Sequence, residues 1–132
     1  MYKRQIHKFY EAYNRGDMQR VSEVFDTEGI WNLATFTGWP GEEVYTGPDG
    51  VSEFFTEWRS IFGQDAVARI ESVTEAGERI VVSATQRSAG PEGSDLVHQA
   101  FAQVYSFRNE RIERVDNYRD GRAALEAVGL RE

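Results

Sequence analysis

Two side chains in this sequence titrate near neutrality when unperturbed, His7 and His98, and either is the first candidate for a general base. In an alternating strand His98 shares a face with Ala100, Ala102 and Val104, opposite Gln103, so it is expected on an outer face unless a bulge resets the strand. His7 falls on the first helix. Two distant histidines without a single Cys make a poor metal set, and a thiol nucleophile is excluded. Gly47-Pro48-Asp49-Gly50 punctuates a helix start and does not resemble a phosphate loop. What remains is hydrogen-bonding chemistry. Tyr45 and Tyr105 offer phenol donors suited to an apolar wall, and Tyr105 is the favoured stand-in for an acid. Trp39 lies in the Gly/Pro loop Thr37–Gly41 and reads as a lid over a pocket mouth. Trp58 recurs at helical spacing, where a ring serves core and pocket wall alike. Asp116 alternates out of phase with Asn117, and Asp120 suits the cap of a final helical turn.

The elements that must position these groups follow from periodicity. Ile6, Phe9, Tyr10 and Tyr13 form one apolar helical face, ended by Asn14-Arg15-Gly16. Asp17 is a good N-cap for a second short helix with Val21, Val24 and Phe25 inward. Gly29–Phe36 reads as a strand. Pro48 opens a third helix whose apolar face is Val51, Phe54, Phe55, Trp58, Ile61 and Phe62. Beyond Gly63 the texture changes to strands over 66–75, 79–88, 95–108 and 111–119, with a loop at 89–93 and a tight Asn109-Glu110 turn. A helical turn over 123–128 closes the chain, with Gly129 as a C-cap. Three helices before an antiparallel meander imply an α+β fold, a curved sheet with helices over one face. Such a sheet encloses a cone, so a pocket lined by Trp31, Trp39, Tyr45, Trp58 and Tyr105 is expected.

Composition narrows the function classes. A length of 132 residues fits one domain over 1–132 and one core without staples. A formal charge of −7 argues against sequence-independent nucleic-acid binding. No apolar run approaches the length of a membrane helix, and the N-terminus does not read as a signal peptide. A cytoplasmic setting is expected, consistent with the absence of Cys.

The runs Phe9-Tyr10-Glu11-Ala12-Tyr13-Asn14-Arg15-Gly16-Asp17, Tyr45-Thr46-Gly47-Pro48-Asp49-Gly50-Val51-Ser52-Glu53-Phe54-Phe55 and Arg111–Asp120 resemble the NTF2-like superfamily, particularly its SnoaL-like polyketide cyclase branch. The resemblance covers essentially the whole chain. It implies a strongly curved antiparallel sheet, three N-terminal helices on its concave face, a conical pocket, and a homodimer through the outer sheet face. It also implies where relatives keep their chemistry. The first-strand position used by ketosteroid isomerases and limonene epoxide hydrolases falls at Asn32. The epoxide hydrolases' acid falls at Gln86, the isomerases' protonated Asp at Gln103, and the last-strand Asp of cyclases and epoxide hydrolases at Asn117. The isomerases' phenol on the first helix falls at Phe9.

All four matched polar positions are carboxamides. None can abstract a proton as a carboxylate does, so the relatives' mechanisms do not carry over as they stand. An amide ring can still orient a neutral carbonyl ligand and polarise it. Arg119 shares the parity of Asn117 and reads either as the pocket's one charge or as a rim residue paired with a surface carboxylate. The leading expectation is therefore a cofactor-independent SnoaL-like enzyme of isomerase, cyclase or hydrolase type. It would act on a small apolar carbonyl or cyclic substrate, with Asn117, Gln103 and Tyr105 as the working groups. Asn32, Gln86, Trp39, Tyr45, Trp58 and Arg119 would bind the substrate, with no metal. A non-catalytic binding protein or a protein-interaction module are the alternatives.

Overall fold

The apolar stripe Ile6–Phe9–Tyr10–Tyr13 forms one face of α1 (Tyr2–Arg15), and all four side chains are buried. A computed structural model describes residues 2–36, 39–63, 66–88 and 97–129. The expected loop at 89–93, Thr37 and Gly38 of the Trp39 loop, and the start of the strand expected from residue 95 lie outside the described residues. After α1 come α2 (Met18–Glu23), β1 (Phe25–Asn32), β2 (Val44–Thr46) and α3 (Gly47–Phe62). The sequence then runs as β3 (Val67–Ala76), β4 (Arg79–Ser88), β5 (Val97–Arg108), β6 (Arg111–Tyr118) and α4 (Gly121–Ala127). The fold is α+β, as expected. Among the described residues no helix is long and apolar enough to cross a membrane.

One mixed sheet carries the strands in the order β2-β1-β6-β5-β4-β3. The meander β3–β6 is antiparallel throughout, but β1 joins β6 in parallel, with Trp31 opposite Val115 and Asn32 opposite Asp116. Bulges at Ile70/Ser72 and Ser106/Phe107 bend the ladder, which is how a sheet curls around its helices. Two boundaries depart from the periodicity. Phe25 belongs to β1 and not to the second helix, and β1 stops at Asn32, where Leu33 turns into the loop. The short β2 was not expected from the pattern, since three residues are too few to show a period.

Local chemistry sets how the helices sit. Asn14 does more than end α1. Its side chain donates to the Ala68 carbonyl (2.9 Å) and accepts from the Ala68 N–H (2.7 Å), tying the helix to the edge strand β3. Pro48 occupies the first turn of α3, and Gly47, at φ 73°, lies where a Cβ would stand 2.8 Å from the Thr27 carbonyl. Val51, Phe54, Phe55 and Trp58 of α3 are buried, whereas Ile61, expected inward, is 40% exposed. Asp120 caps α4 by accepting from the Ala123 N–H (2.8 Å). That helix packs on Val81, Ala102 and Val104, on the sheet face away from α1 and α3. Part of the outer face is thus covered by the chain's own C-terminal helix.

Candidate functional site

The buried polar side chains among the described residues are four carboxamides: Asn32, Gln86, Gln103 and Asn117. Three of them, Gln86, Gln103 and Asn117, line one cavity between the helices and the sheet. Ladder register explains this: Val82 pairs with Gln103 and Gln103 with Asn117, so β4, β5 and β6 present these positions on the same concave face. The rest of the wall is mostly aromatic, with Phe9, Tyr10 and Tyr13 from α1 and Phe54, Phe55 and Trp58 from α3. Trp31 comes from β1 and Phe36 from the following loop. These rings pack on one another at centroid distances such as 5.2 Å for Trp31–Phe54 and 5.1 Å for Tyr13–Phe55. They leave an accessible void of about 40 Å³, space for about three waters or one small ring.

The first half of the polar network is anchored on a group that can only accept. Asn117 donates through Nδ2 to the backbone carbonyl of Asn32 (3.1 Å), so its Oδ1 is left to accept from Gln103 Nε2 (3.0 Å). Gln103 Oε1 then receives two phenolic protons, from Tyr10 and Tyr105, each at 2.6 Å. The direction of every bond follows from the first. Burial pushes both phenols well above their ordinary value.

The second half centres on Gln86. Its Oε1 accepts from the Tyr13 hydroxyl (2.9 Å) and from the Trp58 indole N–H. An indole nitrogen only donates, which orients the amide. Its Nε2 is buried and has no acceptor among the described residues; nor does the indole Nε1 of Trp31. Burial pushes the Tyr13 phenol up to about 12, against the pull of Arg59, whose guanidinium lies 4.5 Å over the ring.

Several expected contacts fall elsewhere. Asn32 does not join the pocket ring: parallel pairing puts Trp31 and Leu33 inward, and the Asn32 amide donates to Asp116 (2.8 Å) while accepting from the Ala34 N–H (3.0 Å). Tyr45 is buried away from the cavity as a latch. It donates to Glu57 (3.1 Å) and accepts from the Trp39 indole (3.3 Å) and the Glu42 N–H (3.1 Å). Gly41 is needed there, because a Cβ would stand 2.5 Å from Tyr45 Oη and 2.7 Å from Trp39 Nε1. Trp39 packs in tilted contact with Phe54 and Trp58 (centroids 5.0 and 5.7 Å away) and does not line the cavity. Tyr105 stands one layer back, reaching the cavity only through Gln103. Arg119 is an exposed rim residue, its guanidinium 5.4 Å over the Phe36 ring. Asp116 is held by Arg114 (2.9 Å) as well as Asn32. Position 98 pairs with Arg87 in the ladder, and the His98 side chain lies outside the described residues.

The phenols that do reach the cavity, Tyr10 and Tyr13, went unmarked by the sequence argument, which placed them in a core stripe. Tyr in place of Phe on such a stripe was the available signal, since a buried hydroxyl needs a partner. Phe9, where the isomerases' phenol position falls, carries no hydroxyl, and the hydroxyl of its neighbour Tyr10 donates to Gln103. Among the described residues no group of three His, Cys, Asp or Glu could hold a metal. As arranged, the site can donate hydrogen bonds to a carbonyl oxygen, but no group lining it is set to take a proton near neutrality.

A family model described as a SnoaL-like domain matches residues 6–115. No curated protein sequence matches the chain. Among solved structures, an NTF2-like protein of unknown function from Burkholderia pseudomallei superposes with a TM-score of 0.77 at 21% identity, covering 97% of both chains. TerC, co-crystallised with polyporic acid, gives 0.75 at 18% identity over 96% of this chain and 97% of that one. A hypothetical protein with a ketosteroid isomerase-like fold from Catenulispora acidiphila, in complex with trimethylamine, gives 0.73 at 15% identity over 95% and 92%.

Proposed function

The chain belongs to the SnoaL-like domain family, and within that family we propose that it binds a small, neutral carbonyl compound in the aromatic cone and polarises its carbonyl. The observation that carries this reading is Gln86. Its amide oxygen is committed to Tyr13 and Trp58, and its buried NH2 lacks an acceptor among the described residues. A buried donor without a partner costs about 1–3 kcal/mol, and a ligand oxygen there recovers it. The same donor strengthens as negative charge builds on that oxygen, the requirement for stabilising an enolate or a tetrahedral centre. Two structural neighbours crystallised with small molecules, polyporic acid and trimethylamine, support taking the cone as a small-molecule site. A cation of the ammonium type is disfavoured here, because an N–H donor repels it. The void of about 40 Å³ holds the ligand to a single small ring.

The test uses cyclohexanone, with cyclohexane as control, followed by NMR. Gln86→Met is expected to weaken cyclohexanone binding about tenfold, the worth of one good hydrogen bond, and to leave cyclohexane unaffected. With solvent hydroxide as the base, since no lining group takes the proton, exchange of the ketone's α-hydrogens in D2O should run above the buffer rate with the native protein and fall in the variant. Equal affinity of the two proteins for the ketone overturns the reading. Burial of the phenols favours a second one, a non-catalytic carrier: binding that depends on Gln86 with exchange at the buffer rate establishes it.

A further inference from the structure

Gln86 Nε2 is not the cavity's one leftover donor. The Trp31 indole N–H is also buried, at 1% residue exposure, and also lacks an acceptor among the described residues. Both side chains line the same void. They stand on different walls: β1 and β4 are separated in the sheet by β6 and β5, three strand spacings or about 14 Å along the sheet. Each amide oxygen that might have served them already has a donor. Gln103 Oε1 holds two phenolic protons, Asn117 Oδ1 holds the Gln103 amide, and Gln86 Oε1 holds Tyr13 and Trp58. Native proteins leave few buried donors unpaired, and two in one small cavity call for two acceptors.

Resting on the carbonyl-binding reading above, we infer that the ligand carries acceptor oxygens on two opposite edges, one for Gln86 Nε2 and one for Trp31 Nε1, as a cyclic dione does. Trp31 is then the residue that sets specificity between one carbonyl and two. The ligand is neutral: the wall is otherwise aromatic and aliphatic, where an anion would lose its hydration against two neutral donors. A hydroxyl at the second edge would be a poorer fit, since its proton would be left facing the aromatic wall.

Cyclohexane-1,4-dione and cyclohexanone differ by the second oxygen alone, and the three tryptophan indole N–H resonances report the contact directly. Trp31→Phe assigns the Trp31 signal. In the native protein the dione is expected to bind about tenfold tighter than the ketone and to move the Trp31 indole proton downfield, which the ketone does not. Trp31→Phe should bring the dione down to the ketone's affinity without changing the ketone's own. If that variant fails to fold, Trp39→Phe and Trp58→Phe assign the Trp31 signal by elimination, and the native spectrum carries the test. Equal affinity for dione and ketone, with the Trp31 resonance still and Gln86→Met weakening both, overturns the inference and leaves the carbonyl-binding reading standing. Insensitivity of both ligands to Gln86→Met removes that reading and this inference with it. Tighter binding of cyclohexanecarboxylate than of the dione overturns the neutral two-acceptor ligand.

Discussion

Gln103 and Gln86 are the same residue type on adjacent strands, facing the same cavity, yet the chain treats them differently. Around Gln103 the amide nitrogen and oxygen both have partners, in a directed series ending on a backbone carbonyl. Around Gln86 the oxygen is doubly occupied and the nitrogen is left over. A closed network rigidifies and specifies a core, and an unclosed one at the same depth is where a ligand can be recognised. Burial and position alike would have ranked the two amides equally. The count of their unmet hydrogen bonds separates them.

The contrast breaks most sharply on stability. Gln103→Leu strips the acceptor from two buried phenols and the donor from Asn117, and should destabilise by about 3–5 kcal/mol in urea denaturation. Gln86→Met removes an acceptor and an unpaired NH2 together, so its cost should be about 1–2 kcal/mol. Equal losses would mean that the two walls play the same structural part.

An alkaline titration sharpens it next. The pocket phenols have folded values above the ordinary 10, so the unfolded chain ionises them first. Stability is full below pH 10 and is lost as the pH rises past it. Tyr13, on the Gln86 wall beside Arg59, is raised to about 12, Tyr10 is raised further, and burial pushes Tyr105 well above its ordinary value. Absorbance at 295 nm should show Tyr13 ionising before the Gln103 pair, which should ionise only with unfolding. The reverse order would place the stronger burial on the Gln86 side.

The smallest effect is expected at Asn32. Its side chain serves Asp116 and Ala34, while Asn117 uses only its backbone carbonyl. Asn32→Ala should cost about 1 kcal/mol and leave cyclohexanone binding unchanged in the same NMR titration. A tenfold loss of affinity would put its amide inside the cavity.

Much of this site could be read from alternation. Positions 86, 103 and 117 fall inward because β4, β5 and β6 keep their alternation around them; only beyond these positions, at the bulge opposite Ser106/Phe107, does β6 change phase, so that Ile112 is buried as well as Val115 and Asn117. The same reasoning applied to β1 points Trp31 and Leu33 inward and Asn32 out; likeness to relatives pointed the other way, and the parallel register settles it. The latch of Tyr45, Glu57, Trp39 and Gly41 was not legible, since it joins a strand, a helix and a loop through hydrogen bonds that leave no periodic trace. Nor was the phenol–amide pairing, because which hydroxyl meets which oxygen depends on how α1 sits across the sheet. Asn14 sets that seating through its paired bonds to Ala68.

The parallel junction between β1 and β6 also bears on how the chain reaches this state. The meander β3–β6 grows by neighbouring hairpins, but Trp31 finds Val115 only across most of the sequence. Contacts of such separation carry a large loop-closure cost and form late, so folding should be slow for a domain of this size. During synthesis β1 has no β6 to pair with until the last strand has emerged. The wall bearing Trp31 and the wall bearing Gln86 are therefore expected to meet late in folding, and the cavity between them to form last.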